Sequence, residues 1–141
     1  MWSKEGIIDY LNQDFSLASL TLSLNDKNQL WFILFDENQI PQGFAKINFN
    51  KYNPNLKQIG TELQKFYLLD AAILKKMSQQ FFQYILRFLH EKNYKFIYLE
   101  VLNNNIRAQK FYKKYHFEHA LETSYATDLY DLGMIVMTLT L

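Results

Sequence analysis

Few side chains in this chain of 141 residues have the types and spacings that catalysis or metal binding requires. There is no cysteine, which excludes a disulfide framework, a thiolate zinc site and a cysteine nucleophile. The histidines, His90, His116 and His119, are not spaced as zinc ligands with any partner carboxylate, and we interpret them as structural. The motifs of serine hydrolases, zinc proteases and P-loop proteins do not occur. The sequence therefore predicts no metal site.

The composition is that of an ordinary globular protein and argues against several other classes. Apolar residues make up 49% of the chain and aromatic residues 17%, so it can bury a core and is not disordered. The net charge is +1 and basic residues form no recognisable RNA-binding pattern, so we expect no nucleic-acid partner. No apolar run approaches the roughly 18 residues of a membrane span, and the N-terminus lacks the apolar stretch of a signal peptide. We expect one domain, residues 1–141, located in the cytoplasm and without a membrane partner.

The first half of the sequence predicts a helix and a β-hairpin. Apolar residues recur at helical spacing over residues 6–25. Residues 30–35 form a short apolar run and residues 43–49 alternate with period two, so we expect two antiparallel strands joined by a polar turn. The polar stretch 50–55 then separates the two halves of the domain.

The second half predicts strands that alternate with helices. Residues 62–69 have strand composition, residues 77–91 have the apolar spacing of an amphipathic helix, and residues 95–101 form the next strand. This order predicts a right-handed parallel crossover. A short helix over residues 105–115 follows, with Asn105 as its N-cap. Strand-like segments at 117–125 and 134–141 complete a mixed sheet with helices on its faces.

The segment from Leu99 to Phe117 carries a specific motif. Its pattern, L-x-V-x-x-x-N-x-x-A-x-x-F-Y-x-x-x-G-F, resembles the acetyl-CoA-binding second motif of the GNAT N-acetyltransferase superfamily. Every keyed position matches without a gap except the glycine, which is His116 here. Residues 62–69, the hairpin containing Gly43 and residues 134–139 are similar to strands of that family. Phe15 to Leu17, with Leu20 and Leu24, is similar to the substrate-side helix of its polyamine-acetyltransferase-like branch.

The resemblance implies an α/β (α+β) fold with a central, mostly antiparallel mixed sheet, a parallel strand-helix-strand crossover and flanking helices. It also implies transfer of an acetyl group from acetyl-CoA to a primary amine of a small molecule or peptide. Tyr112 would protonate the leaving thiolate, the backbone N–H of Leu68 would stabilise the oxyanion, and Glu62 would act as a base through water. The other implied cofactor-binding residues are Phe66 and Tyr67 on the strand, Leu74, Lys75, Lys76, Met77, Ser78 and Gln79 around the helix start, and Asn105, Ala108 and Lys114.

Two departures from the family pattern leave a second interpretation open. The phosphate motif Q/R-x-x-G-x-G/A falls on residues 73–78, with Lys76 at the glycine position. The amides of the helix N-terminus bind a pyrophosphate there only if Leu74 and Lys76 take the required backbone angles. About one strand-helix unit of the family pattern is also missing at the start of the chain. The alternative is therefore a catalytically degenerate GNAT-fold binding or dimerisation module. In that module Tyr112 is a core aromatic and Glu62 an edge carboxylate facing solvent.

The partners are less well defined. The acceptor pocket is expected among residues 7–24, 50–56 and 123–133, whose acidic residues Asp9, Asp14, Asp128 and Asp131 could attract a cation. An uncovered sheet edge near Trp31 and Phe35 would favour a homodimer through a partner strand.

Overall fold

The computed structural model describes residues 17–126 and 131–141. Residues 6–16 of the helix predicted over residues 6–25 lie outside the described residues, and residues 17–25 are helical. In chain order the elements are α1 (Leu17–Asn25), β1 (Gln29–Phe35), β2 (Pro41–Asn53), β3 (Gln58–Leu68), α2 (Asp70–Leu74), α3 (Met77–Glu91), β4 (Phe96–Leu102), α4 (Ile106–Lys114), β5 (Glu118–Ala126) and β6 (Asp131–Thr140).

The strands form one six-stranded mixed sheet in the order β1-β2-β3-β4-β6-β5. The pairs β1–β2, β2–β3, β4–β6 and β5–β6 are antiparallel, and β3–β4 is parallel. The predicted fold class is thereby confirmed. In the described part of the chain β1 is an edge strand, as the sequence predicted.

The core lies between one face of this sheet and helices α3 and α4. The amphipathic pattern of α3 buries Phe81, Phe82, Ile85 and Leu89, because these residues share one face of the helix. The rest of the buried cluster comes from the strands and the segment after α4: Ala45, Ile47, Leu63, Ile97, Leu99, Val101, Phe117, Ile135, Met137 and Leu139.

A bulge in β3 sets which side chains meet this core. Lys46 pairs with Lys65 and Ile47 pairs with Leu63, so Gln64 is an extra residue on β3. The alternation shifts there, and Phe66 packs on the core face against Phe81 and Phe82 at ring distances of 5.4 and 5.2 Å. Glu62, Lys65 and Tyr67 lie on the opposite face.

The parallel pair β3–β4 is short and then opens. Only Thr61 with Ile97 and Glu62 with Tyr98 are in register, although β3 continues to Leu68 and β4 to Leu102. On its other side β4 is paired with β6 along its whole length, from Phe96 to Leu102. The two parallel strands therefore part and leave a wedge-shaped gap between them.

Four predictions of local structure were wrong or incomplete. The polar stretch 50–55 was predicted as a break, but β2 runs to Asn53. A register shift between Asn48 and Lys51 accommodates Asn50, which has a positive φ of 52°. β3 begins at Gln58 rather than residue 62, and the one-turn helix α2 was not predicted. The last strand, predicted from residue 134, begins at Asp131. The bounds of the other described elements agree with prediction to within about two residues.

No helix in the described ranges is long and apolar enough to cross a membrane. The same ranges contain no group of three or more histidine and acidic side chains placed to hold a metal ion.

Candidate functional site

A cavity of about 640 Å³ lies where the open end of β3, the start of α3 and helix α4 meet. It contains the predicted acid Tyr112 and most of the residues predicted to bind a cofactor: Phe66, Leu68, Lys76, Ser78, Gln79, Asn105, Ala108 and Lys114. Ile73, Arg107, Lys110 and Phe111 complete the described lining. The predicted residues Glu62, Tyr67, Leu74, Lys75 and Met77 do not line this cavity.

The first turn of α3 forms one end of this first cavity. Lys76 is the residue before the helix and adopts a left-handed backbone conformation, with φ 59° and ψ 23°. No side chain caps the helix, and Ser78 and Gln79 of the first turn line the cavity. Leu74 is 83% exposed and lies outside the cavity, so its side chain does not close the site. The turn therefore keeps uncapped helix amides beside the cavity although it contains no glycine.

Helix α4 provides the opposite wall. The Asn105 side-chain oxygen accepts a hydrogen bond of 3.1 Å from the Ala108 N–H, which confirms its predicted role as N-cap. Arg107, Lys110 and Lys114 line the cavity from the same helix at spacings of three and four residues. Sequence reasoning identified only Lys114. The helical spacing of the three cations was the signal that could have revealed Arg107 and Lys110.

The charged side chains in the described lining of the first cavity are all positive. Its described lining holds four cationic side chains, Lys76, Arg107, Lys110 and Lys114, and no acidic one. Together with the uncapped start of α3, this arrangement suits an anionic group such as a phosphate ester.

The end of β3 presents backbone donors to the same space. Leu69 N–H donates to the Gln42 carbonyl of β2 at 2.8 Å. Because successive residues of a strand direct their N–H groups to opposite edges, Phe66 and Leu68 direct theirs away from β2 and toward the gap beside β4. Tyr67 directs its N–H toward β2, so its backbone does not have the geometry predicted for binding a cofactor.

Tyr112 occupies the inner wall and is only partly exposed. Its ring contacts Phe82, Phe111 and Phe117 at centroid distances of 5.6, 5.6 and 5.9 Å. Burial, and secondarily the neighbouring Tyr67, raise the pKa of the Tyr112 phenol from 10.0 to about 12. The phenol is therefore protonated throughout the physiological pH range and carries a proton that it can donate in a hydrogen bond.

Glu62 lies on the other face of the sheet, away from the first cavity. It is half-buried on β3, which is flanked by β2 and β4, so it is not at a sheet edge. Asn48 Nδ2 donates to Glu62 Oε1 at 2.7 Å and to Gln64 Oε1 at 2.9 Å. Burial, then the charges of Glu62 and Glu100, raise the pKa of Tyr98, whose hydroxyl donates to the Lys51 carbonyl at 3.0 Å.

A second cavity of about 580 Å³ lies against this opposite face, at the ends of β1, β2 and β3. Its described lining is Leu20, Leu24, Trp31, Ile33, Pro41, Gln42, Gly43, Phe44, Tyr67, Leu68 and Leu69. Leu20 and Leu24 fall in the range 7–24 predicted for an acceptor pocket. No described residue of the ranges 50–56 and 123–133 lines it. Asp9, Asp14 and Asp128 lie outside the described residues, as does the side chain of Asp131.

Comparison with protein families identifies a match across most of the sequence. Residues 2–117 match the family model described as the acetyltransferase (GNAT) family. No curated protein sequence matches the chain significantly.

Solved structures with the same fold include two N-acetyltransferases and a further acetyltransferase of the GNAT family. The PaiA N-acetyltransferase of Thermoplasma acidophilum in complex with coenzyme A has a TM-score of 0.72 at 19% identity, with 100% of this chain and 81% of that chain covered. The ribosomal-protein-S18-alanine N-acetyltransferase of Escherichia coli has a TM-score of 0.69 at 16% identity, covering 99% and 90%. A GNAT family acetyltransferase from Elizabethkingia anophelis with acetyl-CoA bound has a TM-score of 0.64 at 15% identity, covering 99% and 84%. At these identities the likeness is one of fold.

Proposed function

Since the chain belongs to the GNAT acetyltransferase family, we propose that it is an acetyl-CoA-dependent N-acetyltransferase acting on a primary amine of a small molecule or peptide. The observation that carries this proposal is the first cavity, where uncapped helix amides, an open strand edge and the Tyr112 phenol converge. The relatives of the same fold that were crystallised with coenzyme A or acetyl-CoA support it.

Different residues of the first cavity would bind the phosphates and the pantetheine arm of acetyl-CoA. The amides at the start of α3 and the side chains of Lys76, Lys110 and Arg107 would hold the phosphates. The edge N–H groups of Phe66 and Leu68 would bind the amide-containing pantetheine arm, as an added strand binds to a sheet edge. Ala108 contributes a small side chain to the α4 wall, and Lys114 adds a further cation to the same wall.

Three groups of this chain would then act at the reacting end. Acetyl-CoA supplies a thioester, so the new C–N bond forms as the C–S bond breaks and the proton of the amine leaves. The Leu68 N–H would donate to the carbonyl oxygen as negative charge develops on it. Tyr112 would donate a hydrogen bond to the sulfur, which strengthens as the sulfur leaves as a thiolate. Glu62, on the far side of β3, would accept the proton of the amine through water.

Ligand binding is the direct test of this proposal. A ligand present at 100 times its dissociation constant raises the free energy of unfolding by about 2.7 kcal/mol, which raises Tm by several degrees. We expect this shift with acetyl-CoA, followed by release of free CoA when an amine is added. A Tm shift without turnover of any amine would favour the degenerate binding module, and no shift at millimolar acetyl-CoA would contradict the proposal.

A matched pair of lysine variants locates the binding site. Lys110 and Lys113 are on the same helix, but only Lys110 lines the first cavity. We expect Lys110→Gln to weaken acetyl-CoA binding several-fold and to reduce its salt dependence, because one phosphate-facing charge is lost. Lys113→Gln removes the same charge outside the cavity and should leave the affinity nearly unchanged. Equal effects of the two variants would contradict the placement.

A further inference from the structure

The second cavity is built differently from the first cavity. Trp31, Phe44 and Tyr67 form a continuous aromatic wall across three strands, with ring centroids 6.0 Å apart for Trp31–Phe44 and 5.3 Å apart for Phe44–Tyr67. Leu20, Leu24, Ile33 and Leu69 supply aliphatic surface around it. The cavity volume of about 580 Å³ is within the usual range for small-molecule sites.

Two polar groups of this wall and its rim are committed to protein partners. Trp31 Nε1 donates to Ser23 Oγ at 2.8 Å. Gln42 Nε2 donates to Asp36 Oδ2 at 3.0 Å. No aspartate, glutamate, lysine or arginine occurs in the described lining. A second ammonium group would find no carboxylate partner among the described lining residues, and burying an unpaired charge is strongly unfavourable.

The second cavity reaches the proposed reaction site at two points. Leu68 lines both cavities, so the strand end that carries the proposed oxyanion donor separates them. Tyr67 lines the second cavity and is close enough to Tyr112 to help raise its pKa. Glu62 shares the sheet face of Tyr67.

Gly43 lines the second cavity at a position where a side chain does not fit. A Cβ atom at this position would lie 2.4 Å from the Tyr67 carbonyl oxygen and 3.0 Å from Leu68 Cγ. Any larger residue would therefore displace the strand end that both cavities share.

From this placement we infer that the second cavity is the acceptor site, and that its acceptor is a small monoamine carried on an apolar, aromatic or aliphatic body rather than a polyamine. The inference rests on the proposed function. The apolar body would lie against the aromatic wall, and the amine would point past Leu68 toward the first cavity.

A charge-introducing variant tests the inference. Ile33 lines the second cavity and is 58% exposed, so a glutamate there is tolerated by the fold and adds a carboxylate to the wall. Ile59 is a similarly exposed strand isoleucine, 61% exposed, that lines neither cavity. Ile59→Glu is therefore the matched control. Leu24→Glu, at a 65% exposed position of α1, repeats the test from another element.

We expect wild-type kcat/KM, measured by CoA release, to be at least tenfold higher for 2-phenylethylamine than for spermidine. Ile33→Glu and Leu24→Glu should lower the phenylethylamine value at least fivefold and raise the spermidine value, whereas Ile59→Glu should leave the ratio unchanged. Spermidine as the better substrate of the wild type, or a ratio that Ile33→Glu and Leu24→Glu do not change, would overturn the inference.

Calorimetric titration with 2-phenylethylamine separates this inference from the proposed function. Saturable binding that Ile33→Glu weakens supports the assigned cavity even if the protein turns over no amine. Turnover of spermidine without measurable phenylethylamine binding would overturn the inference and leave the acetyltransferase proposal standing.

Discussion

At the scale of single residues, Tyr112 has the environment with the clearest chemical consequence. Its surroundings raise the phenol pKa to about 12, which makes it a persistent hydrogen-bond donor and a weaker acid than a free phenol. A thiol such as cysteine has a pKa of about 8.5. Full proton transfer from this phenol to a thiolate is therefore uphill, and most of its contribution would come from a hydrogen bond that strengthens as the C–S bond breaks.

Replacing Tyr112 by phenylalanine tests this role. We expect kcat to fall about 100-fold while KM for acetyl-CoA changes little, because the interaction is made with the leaving group. Tyr115→Phe is the matched control, since Tyr115 is the C-cap residue of α4, three residues after Tyr112, and its buried hydroxyl has no hydrogen-bond partner. Steady-state kinetics of both variants check the prediction. Full activity of Tyr112→Phe would contradict it.

Thr61 illustrates a residue whose polar atom is a cost to stability. Its side chain is 1% exposed in β3, and its Oγ1 has no hydrogen-bond partner. We expect Thr61→Val to raise the free energy of unfolding by about 1 kcal/mol, because it removes an unsatisfied buried hydroxyl at nearly constant volume. Urea unfolding measures the change, and Thr140→Val at an exposed strand position is the control. A loss of stability in Thr61→Val would mean that the hydroxyl has a partner in solution.

At the scale of elements, both positions where the family motifs have glycine keep a left-handed backbone without glycine. Lys76, before α3, has φ 59°, and His116, after α4, has φ 72°. At each turn the left-handed backbone conformation is therefore imposed by the two elements that the turn joins and does not depend on glycine. Each side chain adds a local strain of about 1 kcal/mol to that geometry.

Glycine substitution at these turns tests the strain. Lys76→Gly and His116→Gly should each raise the free energy of unfolding by about 0.5–1 kcal/mol. Lys76→Ala also removes the lysine but keeps a Cβ, so it should give no gain. Thermal and urea unfolding of the three variants provide the measurement. A stability gain in Lys76→Ala equal to that in Lys76→Gly would show that the lysine charge, rather than the backbone angle, is unfavourable.

The sequence allowed elements with strong local signals to be predicted, but it contained little information about long-range geometry. The amphipathic spacing from Phe81 to Leu89 placed α3 over residues 77–91, which are its observed bounds. Asn105 was identified as the N-cap of α4 because capping depends on neighbours in the chain. The parting of β3 and β4 and the bulge at Gln64 arise from pairing between distant segments, and no local pattern reports them. The aromatic wall of the second cavity was missed for the same reason, since Trp31, Phe44 and Tyr67 come together only through strand register.

At the scale of the whole molecule, buried tyrosines make stability depend on alkaline pH. The pKa values of Tyr98 and Tyr112 are raised in the folded protein above the value of about 10 in an unfolded chain. The neutral phenols therefore contribute stability that is fully present below pH 10 and is lost as the pH rises toward the folded pKa values.

We accordingly expect the free energy of unfolding of the wild type, measured with urea, to be flat from pH 8 to 9.5. Above pH 10 it should fall by up to about 1.4 kcal/mol per pH unit for each buried phenol, and the urea midpoint should fall with it. Tyr112→Phe should show a shallower fall, because one of the linked groups is absent. Tyr84→Phe, which replaces an exposed phenol, should follow the wild type. A midpoint for Tyr112→Phe that falls as steeply as that of the wild type would contradict the linkage.

The gap between β3 and β4 has a consequence for handling the protein. Most sheets have free edges only at their outermost strands, but here a hydrogen-bonding edge also lies in the interior of the sheet, and without a ligand water must solvate its amides. An extended segment of a neighbouring molecule could enter the gap as readily as a pantetheine arm. Concentrated samples should therefore aggregate more slowly on storage when coenzyme A is kept in the buffer.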